Sequence, residues 1–213
     1  MAVTLVIIGL TTILTYFGFK DKNLVMKNIF DVKKILQDRQ FYRLATSAFF
    51  HANWTHLLFN MFSFYAFANF MEQEIGPGML LLLYFLGIIG GGILSLVINH
   101  KREYLALGAS GGVSGVIFSS IFIVPGGAII VFPIPLPIPP WLYAVLFVLI
   151  SMYGMRKQID NIGHDAHLGG ALSGLLFTLW AYPEFVANDL TFFVGIVLVI
   201  MIFIGYVIIH PVK

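Results

Sequence analysis

Residues 79–98 read MLLLLYFLGIIGGGILSLVI, twenty residues without one charged side chain. A helix needs about 20 mostly apolar residues to cross the hydrocarbon core of a bilayer, so this stretch predicts a membrane-spanning helix. The whole chain has the same character, because 59% of its 213 residues are hydrophobic and only 10% are charged. Soluble proteins carry roughly 25% charged residues. The sequence is therefore that of an integral membrane protein.

Seven segments are apolar enough to be predicted as spans, which indicates an all-α membrane protein. They are residues 2–19, 53–71, 79–98, 108–124, 142–155, 165–182 and 190–209. All twelve Lys and Arg residues lie outside these segments, and seven of them lie in the connection between the first two. That connection also holds apolar residues at roughly helical spacing. It is either an amphipathic segment in the membrane interface or a solvated charged loop.

Glycines at a spacing of four indicate where helices pack closely. Gly87 and Gly91 have this spacing in the third span, and Gly170 and Gly174 have it in the sixth. Small residues so placed let helix backbones approach one another within lipid. We interpret them mainly as packing positions.

The charge balance and the cysteine count exclude several classes of protein. A net charge of +2 is too small to indicate nucleic-acid binding. The absence of cysteine excludes disulfides, thiolate catalysis and cysteine-ligated metal sites.

Polar residues gather at the starts of three spans, where an ionisable side chain in the membrane indicates function. In the second span His56 and Asn60 are four residues apart, so they share a helix face. They are either interfacial residues bonded to neighbouring helices or hydrogen-bond donors of a site. The fourth span starts with Gly108-Ala-Ser110-Gly-Gly. Ser110 is either a helix cap or small packing residue, or a nucleophile at a helix N-terminus.

The sixth span starts with His164-Asp165-Ala-His167. We expect Asp165 to cap the helix, which places His167 in the first turn, where the helix dipole disfavours imidazolium. A neutral histidine can accept a proton from a serine hydroxyl. Packing would explain each cluster alone, but together they supply the nucleophile, base and donors of acyl transfer.

The three clusters are predicted to lie on one side of the membrane, because the second, fourth and sixth spans run in the same direction. No acidic residue is placed to complete a triad. Asp165 is only two residues from His167 and so faces elsewhere on the helix. We therefore predict that Ser110 and His167 act as a dyad.

At these residues the chain resembles the rhomboid family of intramembrane serine proteases, over most of residues 42–174. The G-x-S-G motif at Ser110 and the A-H-L-G-G motif at His167 carry most of the resemblance. One departure is Ser114, where many rhomboids have Phe or Tyr stacked under the catalytic histidine. The other matching positions are Arg43, His51, His56, Asn60, Glu72, Gly108, Gly170 and Gly174.

The resemblance implies that Ser110 is the nucleophile and that His167 is its general base. His56 and Asn60, supported by Gly108, would stabilise the oxyanion together with the Ser110 N–H. It also implies a six-helix catalytic core over residues 1–182, with residues 19–52 as an interfacial first loop and an additional C-terminal helix over 189–210.

By the same resemblance, substrates would be transmembrane segments of other membrane proteins, cleaved within the bilayer of the cell membrane without a metal or an organic cofactor. Two alternatives remain open at this point. One is a non-catalytic rhomboid-like protein that binds membrane clients, and the other is a transporter lined by histidines.

Overall fold

A computed structural model of the protein describes residues 1–124, 129–130, 136–157 and 163–210. Two pairs of short antiparallel strands join β1 (Phe30–Asp31) to β2 (Leu105–Ala106) and β3 (Ile129–Ile130) to β4 (Pro137–Ile138). The helices are α1 (Ala2–Lys20), α2 (Lys22–Asn28), α3 (Val32–Gln37), α4 (Arg43–Thr46), α5 (Trp54–Asn99), α6 (Ser110–Ile123), α7 (Pro140–Lys157), α8 (His164–Ala181), α9 (Pro183–Ala187) and α10 (Leu190–Ile209). The predicted all-α class is confirmed.

The seven predicted spans fall on six helices, because α5 contains both the second and the third. Among the described helices, α1, α5 and α10 are long and apolar enough to cross a membrane, and α6 and α7 contain shorter apolar segments. The helix α10 contacts both α7 and α8.

The helix α5 reverses direction at Gly76. A straight helix of 46 residues would be about 69 Å long, more than twice the thickness of the hydrocarbon core. Gly76 instead adopts φ +78°, a conformation that favours glycine, and Pro77 then starts the second half. His56 and Ile98, near the two ends of α5, line the same cavity. The two halves therefore run antiparallel.

The second half of α5 packs against α6 and α8 through glycines, as the spacing of four predicted. A Cβ added to Gly91 would lie 2.6 Å from the carbonyl oxygen of Ala166. Cβ atoms added to Gly170 and Gly174 would collide with the backbones of Gly111 and Gly115. These three helices touch backbone to backbone, which leaves their relative positions little freedom.

Part of the apolar surface of the first connection is buried within the protein, whereas Met26 and Leu36 are exposed. Phe30, Val32 and Ile35 form a small core with Leu44 and Tyr104. Amphipathic spacing identifies a buried face but does not distinguish lipid from protein as its cover. Since β1 pairs with β2, this folded connection is attached to the segment that precedes α6.

Arg43 is buried within the first connection and binds its segments by hydrogen bonds. Its side chain is only 3% exposed, and Nη1 donates to the carbonyl oxygens of Ile29 at 2.7 Å and Met26 at 3.0 Å. Nε donates to Oε1 of Gln40 at 2.7 Å. The guanidinium thus satisfies carbonyls at the end of α2 that the helix leaves unpaired.

Glu72 joins the first half of α5 to the start of α1. Its carboxylate accepts hydrogen bonds from the Thr4 N–H at 2.9 Å, the Thr4 hydroxyl at 2.6 Å and the Val3 N–H at 3.1 Å. A carboxylate at a helix N-terminus satisfies free N–H groups and interacts favourably with the helix dipole. In this structure Glu72 therefore has a stabilising contact far from the polar span starts.

Candidate active site

A cavity of about 400 Å³ opens where α5, α6 and α8 start. Its walls include four residues predicted for the site, which are His56, Gly108, Ser110 and His167. The three helix starts therefore meet on one side of the molecule, as the direction of the spans predicted.

Ser110 is the first residue of α6 and is partly exposed in the cavity. The first N–H groups of a helix have no acceptor within the helix, so they can bind a negatively charged group. Ser114, one turn later, is 3% exposed and is not part of the cavity wall. Of these two serines, only Ser110 is accessible from the cavity.

Gly108 brings the backbone before Ser110 against the imidazole of His56. Its φ is +126°, and an added Cβ would lie 2.7 Å from Cε1 and 2.9 Å from Nε2 of His56. A side chain at this position would therefore be strained and would also displace the imidazole. His56 lies beside the segment that precedes Ser110, where the predicted oxyanion donor would be needed.

His51 holds the residue that precedes Ser110. Its Nε2 accepts a hydrogen bond from the Ala109 N–H at 3.3 Å, and its Nδ1 lies 3.1 Å from the Thr15 hydroxyl. The hydroxyl in turn donates to the Phe49 carbonyl at 3.1 Å. This pattern assigns the neutral tautomer with its proton on Nδ1. Burial, with a smaller effect from the nearby His56, lowers the pKa of His51 to about 3.

Asn60 is not part of the cavity wall. Its side chain is 8% exposed, and its amide donates to the His56 carbonyl one turn earlier, at 3.0 Å. Its assignment as an oxyanion donor stays a prediction. In this structure its contact is with the helix backbone that carries His56.

His167 lies in the first turn of α8 and contacts two aromatic rings. The Phe147 ring centroid is 5.7 Å from the imidazole centroid, with 32° between the planes. The ring of His164 lies 5.8 Å away, nearly perpendicular at 78°. The tight contact of Gly170, in the second turn of α8, with Gly111 brings the start of α8 to the start of α6.

Ser110 and His167 line the same cavity. Hydrogen bonds between catalytic groups are often long or poorly aligned without substrate and tighten when it binds. The placement of the two residues is therefore compatible with a nucleophile and its base.

Asp165 does not cap α8 as expected, because the helix already begins at His164 with Gly163 as its N-cap. Its carboxylate is 5% exposed and accepts from Nδ2 of Asn99 at 2.5 Å and from the Tyr104 hydroxyl at 3.2 Å. It thus faces the end of α5, away from a triad position. Burial, reinforced by the charge of Asp165, raises the pKa of Tyr104, so the phenol remains a donor.

Sequence reasoning missed Asn99 and Tyr104, because no local pattern joins them to Asp165, more than sixty residues away. Arg102 extends this network by donating from Nε to Oδ1 of Asn99 at 2.6 Å.

No group of three or more His, Asp or Glu side chains that could hold a metal ion occurs in the part of the chain that the structure describes.

Comparisons with a family model and with known proteins agree on one family. The family model described as "Rhomboid domain" matches residues 38–185. RHOMBOID-like protein 12, mitochondrial, of Arabidopsis thaliana is 29% identical over 144 residues, which cover 60% of this chain and 43% of that protein. Rhomboid protein 1, mitochondrial, of Saccharomyces cerevisiae is 24% identical over 181 residues, which cover 83% of this chain and 50% of that protein.

A third relative carries the word protease in its name. Rhomboid-like protease 5 of Toxoplasma gondii is 28% identical over 153 residues, which cover 69% of this chain and 17% of that protein. The chain spans about half the length, or less, of these three relatives.

Proposed function

The chain belongs to the rhomboid family of membrane proteins, and we propose that it is an intramembrane serine endopeptidase with Ser110 and His167 as its dyad. The observation that supports this proposal best is that the serine and the histidine line one cavity at the starts of α6 and α8. A non-catalytic client-binding protein would need neither residue there. A histidine-lined transporter would not need the serine.

In the proposed reaction, Oγ of Ser110 attacks the carbonyl carbon of the scissile peptide bond while its proton passes to His167. The tetrahedral intermediate then collapses, and the leaving amine takes that proton. Water, activated by His167, hydrolyses the resulting ester and restores the serine. The family resemblance implies these roles, and none of them requires a metal or an organic cofactor.

The negative charge of the tetrahedral intermediate would develop near the first turn of α6. The Ser110 N–H is one proposed donor, because first-turn N–H groups are unpaired within the helix. His56 is a second, since its ring lies against Gly108. Asn60 is retained as a third donor, although its amide would first have to leave the His56 carbonyl.

We propose that the substrates are transmembrane segments of membrane proteins in the surrounding bilayer. A peptide bond in a helix has its carbonyl hydrogen-bonded, so the helix must unwind before Ser110 can reach it. Unwinding in lipid leaves polar groups unpaired, which a polar cavity can satisfy. Segments with Gly, Ser or Pro near the cleaved bond should unwind most readily.

We further propose residues 1–182 as the catalytic core, with residues 19–52 as its first loop, and residues 189–210 as an additional helix. The family match over residues 38–185 ends close to the proposed end of the core, which supports that boundary. The protein is a membrane protein, and its placement in the cell membrane stays a prediction. Relatives from Arabidopsis and yeast are named mitochondrial.

The test is cleavage of a single-span model substrate reconstituted with the protein in liposomes. Ser110→Ala and His167→Ala should each abolish cleavage, and Ser110→Ala should also abolish labelling by a fluorophosphonate. Ser114→Ala is the matched control and should cleave at close to the wild-type rate. Cleavage by Ser110→Ala would refute the mechanism. Binding of the segment by wild type without cleavage would favour a client-binding function.

A further inference from the structure

The aromatic contact of His167 comes from a helix that the sequence did not connect with it. Phe147 lies in α7, and its ring centroid is 5.7 Å from that of the imidazole. The position four residues after Ser110, on α6, is occupied by Ser114, which has no ring. The planes of the Phe147 and His167 rings are inclined by 32° to each other.

We propose that Phe147 is a positioning residue for His167 and holds the imidazole plane in the orientation that accepts the proton of Ser110. This inference rests on the proposed dyad. It adds a positioning residue to α7, whose residues Gly154 and Met155 already line the cavity.

Phe147 is itself restrained by two further rings. Phe118 packs edge-on at 5.1 Å, and the Tyr143 ring lies 5.9 Å away on the same helix. Phe118 is fully buried and belongs to α6, the helix that starts at Ser110. The side chains of Phe118 and Phe147 therefore connect α6, the helix of the nucleophile, to the imidazole of His167.

His164 also contacts His167, but the two residues lie on the same helix, three positions apart. His164 therefore moves with α8, and its contact does little to orient the base relative to α6. Phe147 lies outside α8, so its contact constrains the imidazole relative to the rest of the site. Small errors in the placement of reacting groups can reduce a rate by as much as about a hundredfold.

The reaction adds an electrostatic reason for an aromatic side chain. When His167 takes the proton from Oγ of Ser110, it becomes an imidazolium. A cation within about 6 Å of a ring centroid is attracted by the negative face of the ring. An aliphatic side chain of similar volume fills the space but lacks this property, so the two can be separated by substitution.

The experiment compares Phe147→Leu, Phe147→Met and Phe147→Tyr in the liposome assay, with kcat and KM determined separately and thermal unfolding measured in detergent. Leu and Met should each lower kcat about tenfold and leave KM within about twofold, because substrate binding does not need the ring. Tyr keeps the ring and should keep at least about half of the wild-type kcat. Leu149→Ala, an exposed residue on the same helix, is the matched control and should behave as wild type.

Two outcomes would overturn the inference while leaving the dyad intact. One is wild-type kcat in a folded Phe147→Leu or Phe147→Met protein, and the other is an equal loss in the Leu, Met and Tyr variants. If the Phe147→Leu protein does not fold, the test uses the Phe147→Met protein, whose new side chain is longer and more flexible. Failure of the proposed function itself would appear separately, as cleavage by Ser110→Ala.

Discussion

The start of α6 and the start of α8 supply the two proposed catalytic groups, but different parts of the chain position them. Backbone features position Ser110: the positive φ of Gly108 and the Ala109 N–H donated to His51. For His167 the described contacts are between side chains, with the rings of Phe147 and His164.

Because of this difference, the two regions should tolerate amino-acid substitutions differently. A backbone conformation that requires glycine has no substitute, whereas an aromatic ring can be exchanged for a related group at moderate cost. The nucleophile end should therefore respond sharply to substitutions that only add a methyl group. Around His167, the loss of activity should differ from one substitution to another, according to how much of the original contact the new side chain keeps.

The largest effect is expected at Gly170, where the two regions are joined. Gly170→Ala should abolish cleavage and lower the free energy of unfolding by about 1–3 kcal/mol or more. The added Cβ would collide with the Gly111 backbone, which belongs to the turn of α6 that begins at Ser110. Cleavage in liposomes and thermal unfolding in detergent measure the two effects.

Gly195→Ala provides the control for that substitution. Gly195 lies in α10, and apart from the adjoining residues and backbone of that helix nothing lies within 4 Å of the position of its added Cβ. It should leave both cleavage and unfolding close to wild type. Equal behaviour of the two variants would contradict the view that backbone contact brings the two helix starts together.

A smaller effect is expected for Gly108→Ala, which tests the nucleophile region alone. The new Cβ would be strained at φ +126° and would push against the His56 ring. We expect kcat to fall by about 10²–10³, the loss typical of removing one oxyanion donor. Gly76→Ala is matched in its positive φ but has open space around the Cβ. It should lower stability without a comparable loss of kcat, and a similar loss would show that backbone strain alone explains the Gly108 result.

The smallest effect concerns the pH dependence of stability at His51. Its folded-state pKa of about 3 lies below the ordinary value of 6.5, so the unfolded chain takes up the proton first. The stability that His51 contributes is complete above about pH 6.5 and is lost as the pH falls toward 3. Between pH 7 and pH 4 this loss should be about 1–3 kcal/mol.

His51→Gln isolates that contribution, because glutamine does not titrate and its carbonyl can still accept from the Ala109 N–H. Thermal unfolding of the variant should depend less on pH than that of the wild type over the same range. Coincident pH profiles would mean that His51 is not the neutral acceptor described above.

Much of the fold could be predicted because the bilayer restricts the possible structures. Each predicted span lies on a described helix, and the glycines spaced by four do mark backbone contacts. The first connection could not be predicted in the same way. Its residues Phe30, Val32 and Ile35 are buried against Leu44 and Tyr104, and these tertiary contacts have no signal in the local sequence.

The candidate site shows the same limit. Ser110, His167 and His56 are conspicuous because they are polar residues at the starts of apolar spans. Phe147 is one of 21 phenylalanines, and nothing in its local sequence marks its contact with His167. The Asp165 network was missed because its members come from separate elements and meet only when α5 and α8 pack together.

The reversal of α5 at Gly76 also bears on how the protein is made. One continuous segment carries His56 at its beginning and Asn99 at its end, and both ends lie at the cavity. A helical hairpin of this kind can enter the bilayer as a pair during synthesis, before the ribosome has produced α6. One wall of the site and the anchor for Asp165 then exist before Ser110 and His167 are translated. A defect at Gly76 would therefore act first on membrane insertion and yield, and only afterwards on the turnover of the molecules that mature.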